Sequence, residues 1–377
     1  MKKRTIAFIV NELGLGGVQR LVVDMANAFN KTQWEVIIIT LSQGKETNFY
    51  RDQLDFTVHV EQFKFNNARD IKSWFKLYRY LKQKRCDVVF TQLFMADFMG
   101  RTAAWCARVP VIATAIQNII PSLPKKFIAI DRILRNITTI CFAPTEEIAQ
   151  YAHDVIKFKK EKIVRINSNA VVKRRFTENV DEKKLRHELG ISKSEKMIIA
   201  VGRLMEQKGH KVLIEAAPLV ITEHPEVRIV IVGSGKLEAE LKNFAEKLQL
   251  QDRILFTGAR SDIPNLLRTA DVFAFPSIWE GQGVILFEAI FAEIPIAASN
   301  VGGIPEVIEH ERTGLLSEPG DHKALAENIN RLLNDHKLAA MLTKNALERF
   351  GDRTMENTVE KLEEIFENLL KKRNHKN

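Results

Sequence analysis

What most restricts the folds open to this chain is a repeated alternation: a short run of Val, Ile, Phe and Ala, a polar or Gly-bearing loop, then a helical stretch. In the first half the runs are Thr5–Val10, Trp34–Thr40, Asp87–Phe90 and Val111–Thr114. In the second they are Met197–Leu204, RIVIVG ending at Gly233, Arg253–Thr257, Asp271–Pro276 and IPIAAS ending at Ser299. Short apolar runs alternating with helices make parallel sheets joined by crossover helices, and such sheets bind ligands in loops at the carboxyl ends of their strands. At 377 residues the chain exceeds one ordinary core and divides into two domains of about 170–200 residues each. The expectation is an α/β protein with two doubly wound, Rossmann-like parallel-sheet domains facing across a cleft. The first covers residues 1–172. Polar, charged sequence over 173–196 reads as a linker followed by a short helix; the second domain runs over 197–352, and a last helix and tail occupy 353–377.

Composition removes several function classes. Cys86, Cys106 and Cys141 include no C-x-x-C pair, so neither a disulfide framework nor a zinc site is indicated, and a reducing cytosol is the natural setting. The apolar start ends at Val10 in a Gly-bearing loop, too short for the core of a signal peptide, and no apolar run approaches the ~20 residues of a membrane span. Residues 1–170 hold 26 Lys+Arg against 15 Asp+Glu, the remainder 30 against 32. So basic a first half attracts phosphate groups or an anionic membrane surface, or is simply a solvated face. Nucleic acid fits less well, because neither a helix-turn-helix pattern nor aromatic–basic interleaving occurs. Ile71–Lys84 sets Trp74, Phe75, Leu77, Tyr78 and Leu81 beside Lys72, Lys76, Arg79, Lys82 and Lys84; it reads as an amphipathic helix that either packs on the sheet or lies on anionic lipid. Pro121–Ile137 combines basic and apolar residues in a similar way.

Chemistry concentrates in Pro276–Pro295, PSIWEGQGVILFEAIFAEIP. Glu280 and Glu288 are separated by seven residues, with Gly281 and Gly283 between them. The glycines let the backbone turn and approach a ligand; the long apolar run after them is better read as a helix than a strand. Glu280 then lies on the loop and Glu288 inside a nearly all-apolar helix, where a carboxylate needs a partner. That partner is either a salt bridge within the domain or a ligand presenting hydroxyl groups to both acids. Arg203 and Lys208, at the end of the Met197–Leu204 run, suit a diphosphate beside a helix start, Arg as a planar fork and Lys as a point charge; alone they are surface cations. Gly233, Ser234 and Gly235 repeat the strand–loop–helix arrangement. In the first half NELGLGG supplies Gly14, Gly16 and Gly17, but lacks a third glycine at the spacing of the dinucleotide fingerprint and an acid at the expected place after the second strand.

In order and spacing these motifs resemble the retaining glycosyltransferases of the GT-B fold, of the group 1, family 4 type: G-R-L-x-x-x-K-G, then E-x7-E within S-x-x-E-G-x-G, an apolar helix, and P-x-A-A-S-x-V-G-G-x-P-E. The resemblance spans nearly the whole chain. It implies that Arg203 and Lys208 hold the donor diphosphate and that Glu280 meets the sugar, these three forming the catalytic set. It implies donor binding by Gly233, Gly235, the backbone around Arg260 and Ile263, the loop Gly281, Gln282, Gly283 and Val284, and Glu288 on the ribose. Gly16 and Gly17, with Arg20, match G-G-x-x-R in a loop that faces the cleft. Gln92, and Gln117 with Asn118, stand near positions where many relatives carry histidines. A glutamine hydrogen-bonds but carries no proton, so these residues are assigned to acceptor binding rather than acid–base work. LFMADFMGRTAAW, read as a strand region, and PVIATAIQN resemble the family as well. Asn167–Phe176 resembles its crossover between domains, with Ala170 and Val172 in place of Gly and Asp; VGGIPEVI puts Gly302 and Gly303 before a helix, and the last helix is expected to return to the first domain. Relatives acting on lipid-linked acceptors have a cationic, partly apolar region in the first domain, which Pro121–Ile137 resembles.

The function so implied is retaining, metal-independent transfer of a hexosyl or N-acetylhexosaminyl group from a nucleotide-diphosphate sugar, UDP foremost, to a glycan or lipid-linked acceptor in cell-surface polysaccharide or lipopolysaccharide assembly. The sequence holds no D-x-D pair, and neither metal nor other cofactor is expected. Expected partners are the donor, the acceptor and an anionic membrane touched peripherally from the cytoplasm, with no nucleic acid. The alternatives are a nucleotide-sugar 2-epimerase of the same fold and a non-catalytic nucleotide-sugar or RNA-binding protein.

Overall fold

A computed structural model describes residues 3–14, 16–41, 50–67, 70–120, 123–166 and 170–374. It divides into two compact units, Met1–Ala170 with Arg353–Asn377, and Val171–Asp352. The first unit runs β1 (Arg4–Val10), α1 (Gly17–Ala28), β2 (Trp34–Thr40), β3 (His59–Gln62), α2 (Ile71–Lys84), β4 (Val88–Gln92), α3 (Phe94–Cys106), β5 (Val111–Ala115), α4 (Lys125–Leu134), β6 (Ile140–Ala143), α5 (Glu146–Asp154) and β7 (Ile163–Arg165). Its sheet has the order β3-β2-β1-β4-β5-β6-β7, and every pairing is parallel. Strands β1, β4 and β5 are buried along almost their full length, which is why they read as continuous apolar runs rather than alternating ones.

The second unit comprises α6 (Glu182–Glu188), β8 (Lys196–Val201), α7 (His210–Glu223), β9 (Val227–Val232), α8 (Glu238–Lys247), β10 (Ile254–Gly258), α9 (Ile263–Thr269), β11 (Val272–Phe275), α10 (Val284–Phe291), β12 (Ile296–Ser299), β13 (Leu315–Ser317), α11 (His322–Asn334) and α12 (His336–Phe350). Its sheet, β10-β9-β8-β11-β12-β13, is also wholly parallel. Both sheets start from an inner strand, grow one way and then the other, so each reverses direction at one place: between β1 and β4, and between β8 and β11. Residues 173–196, expected as a linker and short helix, contribute Phe176, Leu185, Leu189 and Ile191 to the core of this second unit.

The final helix, α13 (Met355–Asn374), belongs to the first unit. Phe366 is fully buried, its ring centroid 6.4, 6.1 and 6.0 Å from those of Trp34, Phe90 and Phe142. Glu363 accepts the Asn30 backbone N–H at 2.6 Å, while Lys31 donates to the carbonyls of Ala26, Asn27 and Phe29 at the end of α1. α13 is thereby tied both to the sheet and to the turn after α1.

Several expectations need correction. Leu93–Trp105, read as a strand region, is helix α3 after Leu93; its small residues Ala96, Gly100, Ala103 and Ala104 are buried on one helix face. The Met197–Leu204 strand ends at Val201, so Gly202 to Leu204 are loop. Gly302 and Gly303 precede only a single 3-10 turn, Ile304–Glu306. β3 was not anticipated, nor were β13, α11 and α12. The crossover residues 167–169, and residues 121 and 122 of the Pro121–Ile137 segment, lie outside the described residues.

Candidate functional site

The direction reversal of a doubly wound sheet splays the loops of two adjacent strands apart and leaves room for a ligand. In the second unit these are the loops after β8 and β11, and they carry Arg203, Lys208 and Glu280. Lys208 and Glu280 form a close ion pair, with side chains 15% and 9% exposed. Ser277 Oγ lies 3.4 Å from the same carboxylate oxygen, and Lys208 Nζ sits 5.0 Å from the centre of the Phe275 ring. The pair is thus boxed in by an aromatic face and a hydroxyl. Arg203 is exposed, and its guanidinium has no ion pair or hydrogen bond among the described residues.

Backbone contacts fix this arrangement. Ile278 N–H donates to the Gln207 carbonyl at 2.8 Å, joining the β8 loop to the β11 loop. Gly303 N–H donates to the Gly281 carbonyl at 2.7 Å, joining the β11 loop to the turn after β12. Two glycines are required here. Gly209, at φ 61°, lies against the Pro276 carbonyl, and Gly302, at φ 56°, against the Glu280 carbonyl; a Cβ at either would collide with that oxygen. Both also have left-handed backbone that other residues adopt at a cost.

The remaining donor-side residues sit around this centre. Gly233 N–H donates to the Gly258 carbonyl at 2.8 Å and Leu204 N–H to the Ser234 carbonyl at 2.9 Å, while Gly235 packs on the Leu204 backbone. Arg260 is committed: Nε and Nη2 meet the two oxygens of Asp262 at 2.8 and 2.6 Å, and Nη1 meets Glu188 at 2.6 Å. These contacts hold the Asp262 carboxyl below the usual range and push the Arg260 guanidinium up, so it is the backbone from Arg260 to Ile263, at the start of α9, that can face a ligand. Gln282 is buried and Gly281 with it. Gly283 caps α10 with no side-chain hydrogen bond and its carbonyl accepts the Leu286 N–H at 3.1 Å, which leaves the amides of Val284 and Ile285 for an anion or hydroxyl. Glu288 is half-buried on α10 rather than enclosed by it.

In the first unit the reversal lies between β1 and β4. Gly16 and Gly17 start α1 after β1. Arg20, however, turns inward: it pairs with Asp24 at 3.8 Å and stacks over Tyr50. Gln92, at the end of β4, is fully buried and accepts the Gln117 Nε2–H at 3.2 Å. Gln92 Nε2 and Asn118 Oδ1 are buried with no hydrogen-bond partner among the described residues, two unmet polar atoms near the ends of neighbouring strands. No titratable group occurs among Gly16, Gly17, Gln92, Gln117 and Asn118. Nor do the described residues contain a group of three or more His, Cys, Asp or Glu able to hold a metal, or a helix long and apolar enough to cross a membrane.

Sequence reasoning missed Phe275 and Ser277, the supporting roles of Gly209 and Gly302, and His210. His210 opens α7 behind Lys208, is 3% exposed, and neither ring nitrogen makes a well-formed hydrogen bond. Burial, with Lys208 nearby, pushes its pKa down to about 4, so the ring is neutral at pH 7. Gly209, Ser277 and Gly302 carried a signal, as members of G-R-L-x-x-x-K-G, S-x-x-E-G-x-G and S-x-V-G-G-x-P-E; Phe275 and His210 carried none.

Residues 181–349 match the family Glycosyl transferases group 1, and residues 15–168 match Glycosyltransferase Family 4. The chain is 28% identical over 347 residues to an Escherichia coli UDP-Gal:alpha-D-GlcNAc-diphosphoundecaprenol alpha-1,3-galactosyltransferase, covering 88% of each chain. It is 25% identical over 354 residues to the Staphylococcus aureus capsular polysaccharide biosynthesis glycosyltransferase CapM, covering 90% of this chain and 92% of the other. Among solved structures, Anabaena Alr3699/HepE in complex with UDP and glucose superposes with a TM-score of 0.86 at 21% identity, over 97% of this chain and all of that one.

Proposed function

We propose, for a chain that belongs to the GT-B-fold glycosyltransferases, with a group 1 second half and a Family 4 first half, that it moves a hexosyl or N-acetylhexosaminyl group from a UDP-sugar to a lipid-linked glycan acceptor, with retention of configuration. The observation that carries this reading is the Lys208–Glu280 pair with free Arg203 beside it, at the one place in the second sheet where its direction reverses. When the sugar–phosphate bond breaks, negative charge grows on the diphosphate oxygens. Fixed cations aimed there lower the barrier without reorganising. Lys208, paired with Glu280, and Arg203, whose guanidinium makes no ion pair or hydrogen bond among the described residues, meet that charge, so this reading needs no protein-held metal. Glu280 keeps its second oxygen for a sugar hydroxyl, and the amides at the start of α10 add hydrogen bonds. UDP is favoured as the donor nucleotide by the names of the E. coli relative and the Anabaena complex.

On the acceptor side, Gln92, Gln117 and Asn118 offer only neutral hydrogen-bonding groups. They orient a sugar hydroxyl but cannot take its proton, which fits a retaining transfer in which the leaving phosphate itself receives that proton. A lipid-linked glycan is the acceptor class named for the E. coli relative, and capsule synthesis is named for the S. aureus one; polysaccharide or lipopolysaccharide assembly at the membrane's cytoplasmic face, with peripheral contact to anionic lipid, is the setting proposed. The test is a thermal-shift panel of nucleotide diphosphates and their sugars, since a ligand of the folded state raises the melting temperature. A shift with uridine compounds that disappears in Arg203→Ala and Lys208→Ala is expected; no shift, or one indifferent to both substitutions, would sink the reading.

A further inference from the structure

Three of the large apolar side chains that the fold leaves in water, Ile71, Phe75 and Trp105, are 78%, 50% and 59% exposed and lie on two neighbouring helices of the first unit. Ile71 and Phe75 are on α2 and Trp105 on α3, which are clasped by a hydrogen bond from Trp74 Nε1 to Thr102 Oγ1 at 3.0 Å; Trp105 is one turn beyond Thr102. At about 100° per residue, Ile71, Lys82, Phe75, Arg79, Lys72 and Lys76 fall in that order across an arc of roughly 140°, and all six are exposed. Leu77 and Leu81 point the other way, into the core. The apolar members occupy one flank of the outer arc and most of the cations the other.

Charge identifies what would cover this face. α2 carries Lys72, Lys76, Arg79, Lys82 and Lys84 and no acid. The acid at its start, Asp70, accepts the Ser73 backbone N–H at 3.0 Å and so serves as the cap. Lys72 and Lys76 make no ion pair or hydrogen bond among the described residues, and Arg79 and Lys82 lie over the rings of Phe75 and Tyr78. The other basic helix contrasts with this. On α4, Arg132 and its successor Arg135 donate to the carbonyls of Val155 and Lys157, and Asp131 pairs with Arg101, so much of its charge is spent inside the unit.

We infer that the outer face of α2, with Trp105 of α3, docks the protein on an anionic lipid bilayer, the cations meeting headgroup phosphates and the three apolar side chains entering the headgroup–acyl boundary. A helix with a cationic flank and an apolar flank lies in that boundary and binds through both terms. The inference gives a surface to the membrane contact proposed above, and it stands or falls independently of sugar transfer.

The experiment is flotation of the full chain with vesicles of phosphatidylcholine alone or with phosphatidylglycerol, at low and high salt, together with quenching of tryptophan fluorescence by brominated lipid. The wild type is expected to float only with phosphatidylglycerol vesicles and to be released by salt. Lys72→Gln/Lys76→Gln/Arg79→Gln should weaken partitioning at least about tenfold, at roughly one decade or less per cation. Ile71→Ser/Phe75→Ser should weaken it at unchanged charge, and Trp105→Phe should remove most of the quenching. All three variants should keep the wild-type melting temperature and its uridine nucleotide shift, which separates failure here from failure of the donor site. Absence of wild-type flotation would overturn the inference, as would flotation unchanged in the α2 variants but lost on neutralising Lys125, Lys126, Arg132 and Arg135. Salt-sensitive binding to RNA or to an acidic protein without vesicle binding would overturn it too.

Discussion

Lys208 and Glu280 neutralise each other where little water reaches them, so removing either leaves a charge stranded. Glu280→Ala is expected to lose sugar transfer while keeping nucleotide affinity, because the freed ammonium still meets the diphosphate. Lys208→Ala and Arg203→Ala should instead weaken UDP binding roughly 10–100-fold, the value of a lost charge-assisted hydrogen bond; calorimetric titration of the three variants distinguishes these outcomes. His210 gives a pH prediction. Its folded pKa, about 4, is below the unfolded value of about 6.5, so the unfolded state binds the proton first. The neutral ring's contribution is fully present above about pH 6.5 and is lost as pH falls toward 4, up to about 3 kcal/mol. Urea unfolding across this window should flatten in His210→Gln; an unchanged slope would mean that the ring is not buried as described. Glu280 and Lys208 were legible as sequence because glycines and a fixed spacing mark them. Phe275 was not, since an aromatic at a strand end is ordinary until the fold sets it beside a charge; Ser277 was visible only as the serine of S-x-x-E-G-x-G, a spacing that does not say it meets Glu280.

At the scale of elements, the helices of the first unit are held by a polar network as well as by apolar packing. Arg101 of α3 is 1% exposed; it donates to the Asp97 carbonyl at 3.1 Å, to Thr138 at 3.4 Å and to Asp131 of α4. Asp97 in turn accepts from Thr91 and Thr114, on β4 and β5, at 2.5 Å each, and burial pushes its carboxyl up despite Arg101. Arg101→Ala should therefore cost about 3–5 kcal/mol, the penalty for stripping a buried pair of one partner, measured as a lower urea midpoint; a change below about 1 kcal/mol would show that the network is dispensable. This network also explains why α3 was misread. Its inward face is small and polar, Ala96, Arg101 and Ala104 among them, and lacks the strong apolar period by which helices such as α2 announce themselves. β3 escaped notice for a related reason: HVEQ is four residues at a sheet edge with no fully buried position, so nothing in its composition marks it as a strand.

Taken whole, the molecule places its last helix with its first unit. The two doubly wound sheets could be read from strand–loop–helix order alone, because parallel strands buried on both faces leave unbroken apolar runs. The destination of α13 could not, since its apolar stripe would fit either unit; it was expected only through family resemblance. Phe366 completes the ring cluster of Trp34, Phe90 and Phe142, so a chain ending at Asp352 should lose the first unit's cooperative unfolding. Deleting a buried aromatic alone costs about 3–5 kcal/mol. Val171–Asp352, whose two core clusters are its own, should by contrast fold alone and still bind UDP, as a calorimetric melt with and without nucleotide would reveal. The central claim, retaining transfer driven by fixed protein cations, is tested most directly by incubating the full chain with UDP-hexoses and a polyprenyl-diphosphate-linked sugar in the presence of EDTA, and reading the product's anomeric proton coupling by NMR. An α-linked product formed undiminished in chelator is the predicted result; a β-linked product, or transfer abolished by EDTA, would contradict the account.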